Sequence, residues 1–255
     1  PTFLELLAND LKNKYPIHIV SDKKNKIFRL LDMLCQFYKH IYKINLVIID
    51  IYSSHAYYFG LIMAFVSKIH NKPYLLVLSG GNLGERLKYS SSFKSILNNS
   101  ISNISPSKYL LEKFNNYNTF YIPNYLDLKF YPYKKREIIT PKLLWVRSIH
   151  TIYNPQMAIF VLGEIIKSYP DATLCMVGPV KDNSRTKVIS LIKELKLRDH
   201  IILTGKLEKK EWIELSKEYD IFINTTDFDN HPVTLLEAMA LGLPVVSTNV
   251  GGIPY

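Results

Sequence analysis

Short apolar runs bounded by polar or turn-forming residues alternate with longer stretches of helical spacing along this chain. That alternation is the pattern of parallel sheets covered by helices on both faces. In the first half it predicts strands at 17–20, 46–52, 74–79, 103–106 and 120–123, with helices at 2–12, 26–42, 56–70, 92–99 and 108–115. Residues 127–141 have no clear period; their tyrosines, flanking prolines and the basic run Lys134-Lys135-Arg136 read as an interdomain linker. The alternation then restarts with strands at 142–146, 173–177, 201–204, 221–224 and 244–247. A helix at 186–197 places Val188, Leu191, Ile192 and Leu195 on one face, which is core spacing. The expected fold is therefore α/β, with two doubly wound, Rossmann-like domains over 1–140 and 141–255 facing a cleft at the carboxyl ends of their strands.

The last thirty residues carry most of the candidate chemistry. Asp229 and Glu237 lie eight apart and are followed by Ala238-Met239-Ala240-Leu241-Gly242-Leu243-Pro244-Val245-Val246-Ser247 and then Gly251-Gly252. The strand before them puts Asp229 in a strand-to-helix loop, while Glu237 comes after the helix has begun. Free amides near the start of that helix suit phosphate, and carboxylates suit hydroxyls, a combination that fits a sugar nucleotide.

This D-x7-E block resembles the E-x7-E signature of retaining glycosyltransferases of family four, which runs into an EAMA-x-G-x-PVV segment and a Gly-Gly turn. The resemblance implies the GT-B arrangement. It also implies that Asp229 approaches the donor sugar, that Asn230, His231, Pro232 and Val233 hold sugar and phosphates, and that Glu237 holds the ribose. The family places a Gly-Arg pair after the first strand of the second domain and a lysine about six residues later. Arg147 matches the arginine, Val146 stands at the glycine, and Tyr153 stands at the lysine. The resemblance thus assigns Arg147 to the donor diphosphate, and Lys206, after another strand end, is the candidate for the missing cation. A histidine that the family often carries at the end of a first-domain strand is Ser79 here; Gly80-Gly81 still permits close backbone approach to a ligand. Asn82, Arg86 and His55 are further candidates on that side. Asp227-Phe228-Asp229 is a formal Asp-x-Asp match, but it overlaps the D-x7-E block, and no metal is expected. Family members also continue beyond both ends of this sequence, so the resemblance leads us to expect a fragment: a first domain without its opening strand and Gly-rich loop, and a truncated second domain.

Composition changes this picture in one respect. Residues 1–140 hold 19 Lys and Arg against 9 Asp and Glu, whereas residues 141–255 hold 13 of each, so all of the net charge of +10 lies in the first half. Such a half favours anionic partners, a phospholipid surface or a pyrophosphate-bearing acceptor among them; a lysine-rich solvated surface is the other reading. No nucleic-acid motif accompanies the lysines. The two cysteines, Cys35 and Cys175, have neither metal-ligand nor disulfide-framework spacing and read as buried thiols. With no long apolar stretch and no leader pattern, the expected setting is cytoplasmic, peripheral at the inner face of the membrane.

These readings lead to a hexosyltransferase that moves a sugar with retention from a UDP- or GDP-sugar to a lipid- or polysaccharide-linked acceptor, with no cofactor beyond the donor. A non-catalytic nucleotide-sugar-binding or scaffold homologue in a polysaccharide-assembly complex is the alternative, and a sugar-nucleotide epimerase is a third.

Overall fold

A computed structural model of the chain describes residues 3–23 and 25–255. They form two compact units, the first running to Tyr125 and the second covering Leu126–Pro254. The boundary thus falls at 125/126 rather than at 140/141.

The first unit contains the parallel sheet β1 (Val47–Ile51), β2 (Tyr74–Leu78), β3 (Ser102–Ser105) and β4 (Thr119–Tyr121), in spatial order β1-β2-β3-β4. Helices α1 (Phe3–Leu11), α2 (Lys26–His40), α3 (Ala56–Ile69), α4 (Leu83–Tyr89), α5 (Ser91–Asn99) and α6 (Lys108–Lys113) accompany it. Its core includes Ile51, Leu76, Leu78, Leu83, Phe93, Leu110 and Phe114, all essentially inaccessible. Residues 17–20, expected as a strand, pair with no other strand, and Ile19 is 69% exposed. Alternation alone does not make a strand when no sheet edge receives it. Cys35 is likewise exposed, whereas Cys175 is buried as expected.

One polar residue sits awkwardly in this sheet. Asp50, on β1, has a buried Oδ1 without a hydrogen-bond partner. Burial pushes its carboxyl above the ordinary 3.8, against the opposing effect of bonds to Ser79 and Tyr52. The unfolded chain therefore releases this proton first, and stability is lost as pH rises from 3.8 through the folded value. Asp50→Asn is expected to raise the urea midpoint at pH 7 and to lose that advantage at pH 3; a lower midpoint at pH 7 would contradict the dominance of burial.

The second unit has five parallel strands, β5 (Lys142–Val146), β6 (Thr173–Val177), β7 (Ile201–Gly205), β8 (Ile221–Asn224) and β9 (Val245–Ser247), in the order β7-β6-β5-β8-β9. Helices α7 (Pro155–Ile166), α8 (Ser184–Glu194), α9 (Lys209–Leu215) and α10 (Val233–Ala240) connect them. Both faces are filled, one by Trp145, Ile159, Leu162 and Met176, the other by Leu144, Cys175, Phe222 and Ala238. The chain runs outward from β5 to β7, then returns to β8 on the other side of β5. The connections that leave the carboxyl ends of β5 and β8 therefore run toward opposite edges of the sheet, the switch point at which open α/β sheets take ligands.

Residues 126–141 are part of this second unit, and within their basic run Lys134 and Lys135 are exposed whereas the side chain of Arg136 is buried. Arg136, with only 2% of its side chain exposed, donates to the carbonyls of Tyr219, Leu241 and Ser216 and lies 3.8 Å from Asp220. Tyr131, 5% exposed, packs under α10.

Candidate functional site

The two loops leaving β5 and β8 are tied together by polar side chains. Trp145 Nε1 donates to Thr225 Oγ1 at 2.9 Å, and that hydroxyl lies 3.0 and 2.9 Å from the carbonyls of Tyr153 and Asn154. Thr226 reaches the carbonyl of Ile152, and Asn154 Nδ2 donates to Asp227 Oδ1. Asp227 is therefore committed to the loop. Among the described residues no group of three or more His, Cys, Asp or Glu side chains is placed to hold a metal ion.

This stitching brings Arg147 and Asp229 together. Arg147 Nη2 is 2.8 Å from Asp229 Oδ2, with only 12% and 16% of the two side chains exposed. The guanidinium also lies over the ring of Tyr153, 5.1 Å from its centroid. Tyr153, standing where the family has a lysine, thus orients the arginine rather than adding a charge. The ion pair is close but poorly aligned, so Nε and Nη2 are both buried without a hydrogen-bonded acceptor. Buried donors of this kind call for an acceptor from outside.

They face one. A cavity of about 260 Å³ opens here, and Arg147, Tyr153, Gly178, Leu207, Trp212 and Thr234 are among its lining residues. Thr234 Oγ1 is a second buried atom without a partner. It belongs to the first turn of α10, which opens at Val233 just after the buried Asn230 and Pro232. The first amides of a helix have no carbonyl four residues back and carry the positive end of its dipole. Asp229 Oδ1 meanwhile accepts from the amide of His231, and burial holds the imidazole of His231 below its ordinary pKa, opposed by Asp229. The neutral ring is then the form present near pH 7.

Glu237 lies one turn further along α10, 6% exposed and outside the lining of this cavity. Its Oε1 accepts from Tyr131 Oη at 2.8 Å and lies 2.7 Å from Lys209 Nζ. Tyr131 is pushed up to about 12, first by burial. For Lys209 burial pulls downward, but Glu237 and Tyr131 outweigh it and raise the ammonium. Neither partner of Glu237 was apparent from the sequence: one lies 106 positions away in the supposed linker, the other at the start of α9. Lys206 is not brought to Arg147. It is exposed and paired with Glu208, a contact that raises the lysine and lowers the acid. Lys209, between the cavity residues Leu207 and Trp212 in sequence, is the cation paired with Glu237, as Arg147 is with Asp229.

Residues 136–255 match the family model described as glycosyl transferases group 1. Over 128 residues the chain is 30% identical to the putative glycosyltransferase YtcC of Bacillus subtilis, covering 47% of this chain and 31% of that protein. Over 112 residues it is 28% identical to the N-acetyl-alpha-D-glucosaminyl L-malate synthase of Bacillus anthracis, covering 44% of this chain and 28% of that protein. These matched stretches span less than a third of those relatives' own length. Among solved structures, Anabaena Alr3699/HepE in complex with UDP and glucose superposes with a TM-score of 0.68 at 16% identity, covering 98% of this chain and 71% of that one. Sucrose-phosphate synthase from Thermosynechococcus elongatus gives 0.70 at 16% identity, covering 91% and 64%. The fold is α/β with parallel sheets and matches solved GT-B structures, and the stretch of the second unit from Arg136 onward is similar to the group 1 glycosyl transferases.

Proposed function

We propose that the protein is a retaining glycosyltransferase that moves a hexose-type sugar from a UDP- or GDP-sugar to a saccharide- or lipid-linked acceptor, with the donor held in the second unit. The observation that carries this reading is the buried, ring-stacked guanidinium of Arg147, whose Nε has no acceptor, beside a cavity shared with the first turn of α10. The leaving group is a nucleoside diphosphate whose negative charge grows as the glycosidic bond breaks. A fixed cation and helix amides aimed at that charge lower the barrier. Asp229 holds Arg147 in place and lies beside the sugar position, Asn230, His231, Pro232 and Val233 shape the loop around it, and the carboxylate of Glu237 accepts the ribose hydroxyls. Front-face attack within an ion pair needs no enzymic nucleophile, and the reading invokes no cofactor. UDP is favoured among donors because the similar HepE is described with UDP-glucose, and the similar pneumococcal GtfA with UDP and GlcNAc. The basic first half favours an anionic acceptor or membrane surface; no helix among the described residues is long and apolar enough to cross a membrane.

The test is calorimetric titration of the protein with UDP and GDP, beside Glu237→Ala. Loss of a hydrogen bond to a charged acceptor costs about 1.5–3 kcal/mol, so affinity for the preferred nucleotide is expected to fall roughly tenfold or more. Glu237→Gln, which keeps an acceptor for Tyr131, separates ribose recognition from local support. Unchanged affinity in both variants would remove the ribose contact. A second reading, a non-catalytic nucleotide-sugar-binding homologue, is favoured by Ser79 and Tyr153 at positions where the family has histidine and lysine. It predicts nucleotide binding without transfer or donor hydrolysis.

A further inference from the structure

The first unit has a larger cavity of its own, about 510 Å³, whose lining includes Tyr57, Tyr58, Glu85, Arg86, Tyr89 and Ser90. We propose that it binds an anionic saccharide, with the sugar ring against tyrosine faces and a phosphate or carboxylate substituent on Arg86.

Ser53, in the loop after β1, organises the site. Its Oγ accepts from the amide of Asn82 at 2.9 Å, and its carbonyl accepts from Arg86 Nη2 at 2.8 Å. Gly80 lies so close that an added Cβ would come within 2.3 Å of the Ser53 amide nitrogen. The close approach permitted at Gly80 is thus to the neighbouring loop, and its effect is to bring α4 beside α3. Arg86 on α4 is then held a second time, its guanidinium 4.4 Å from the centroid of the Tyr57 ring on α3. Tyr57 is itself fixed, being 3% exposed with its hydroxyl 3.1 Å from Ser90 Oγ.

This arginine has no acid partner among the described residues. The adjacent Glu85 gives both its oxygens to Lys88, at 2.8 and 3.0 Å. A pre-oriented guanidinium with remaining N–H groups is the side chain best suited to a bidentate anion. It lies in the half of the chain that holds the entire positive excess. Tyr58 and Tyr89 are 56% and 86% exposed, so packing does not account for these rings. Flat rings carrying polar hydroxyls meet the C–H face of a sugar while bonding its hydroxyls. The volume falls within the range of about 300–1,000 Å³ usual for small-ligand sites.

The experiment is calorimetry of the protein at low salt with glucose 1-phosphate, glucuronic acid, glucose and inorganic phosphate. At least one charged sugar is expected to bind about tenfold or more tightly than both glucose and phosphate, and the stronger of the two identifies the anionic substituent. Arg86→Lys keeps the charge but loses the fork, so affinity should fall about tenfold. Tyr89→Ala removes an exposed ring and leaves the core untouched; it should weaken the charged sugar and not phosphate. Binding should persist in Arg147→Ala, and UDP titrations of the Arg86 and Tyr89 variants should match the parent, which separates this site from the donor cavity. The proposal is overturned if neither charged sugar binds at concentrations on the order of 10 mM, if both Arg86→Lys and Tyr89→Ala bind like the parent, if phosphate alone binds as well as the sugar phosphate, or if Arg147→Ala abolishes the signal.

Discussion

Arg147→Ala is expected to lower kcat/KM for sugar transfer by about 10²–10³-fold, the usual consequence of removing one preorganised group from developing charge. The argument rests on the state of the guanidinium before any donor arrives. Asp229 and Tyr153 fix its position, yet Nε is buried without an acceptor and Nη2 meets Asp229 without a well-aligned hydrogen bond. Reorganisation on binding is therefore small, and a diphosphate oxygen satisfies donors that water reaches poorly. Truncation has a second cost, because Asp229 is then left largely buried without its cation. Arg147→Lys separates the two effects. Lysine retains a charge for Asp229, so thermal stability should recover, whereas the fork and the stacking on Tyr153 are lost and transfer should remain impaired. The measurements are steady-state kinetics with a UDP-sugar, UDP calorimetry and thermal melts of both variants. If both variants bind UDP with parental affinity, the diphosphate does not lie on Arg147.

What could be read from the sequence divides along the range of the interactions concerned. β5, β6, β7, β8 and α10 were legible because apolar runs and helix formers set them locally, and the D-x7-E spacing placed its acids on the correct loop and helix. The coming together of Arg147 and Asp229 was legible only through resemblance, since 82 residues separate them. The partners of Glu237 were not legible. Tyr131 lies in a segment without period, and Lys209 is one of several lysines near the start of α9; only tertiary packing distinguishes it from Lys206. Arg136 failed for the same reason, since a basic run looks solvated until four backbone carbonyls converge on one member. Residues 17–20 failed in the opposite direction, because their local pattern suits a strand but no neighbouring strand pairs with them.

The Gly-Gly turn that ends the motif should prove as sensitive as its acids. Gly251 has φ +57°, and a Cβ built there would come within 2.2 Å of the carbonyl oxygen of Asp229 and 3.1 Å of the Phe228 ring. The next amide, of Gly252, donates to that same carbonyl at 2.9 Å. The turn therefore fixes the backbone of Asp229. A side chain at this position combines left-handed strain, about 1–2 kcal/mol for an L-residue, with a contact that backbone atoms must move to relieve. Gly251→Ala is expected to destabilise the fold by about 2 kcal/mol or more, and Gly251→Val by more still because its branched Cβ tolerates positive φ poorly. Gly205 provides the control: its φ is +73°, but nothing lies within 4 Å of its added Cβ. Gly205→Ala therefore bears the strain alone, and the difference between the two alanine variants in urea melts isolates the collision with Asp229. Because the collision displaces the carboxylate that positions Arg147, Gly251→Ala should also weaken UDP binding at temperatures where it remains folded, while Gly205→Ala should not. Equal melts and equal UDP affinities for the two variants would show that the Asp229 loop yields without consequence.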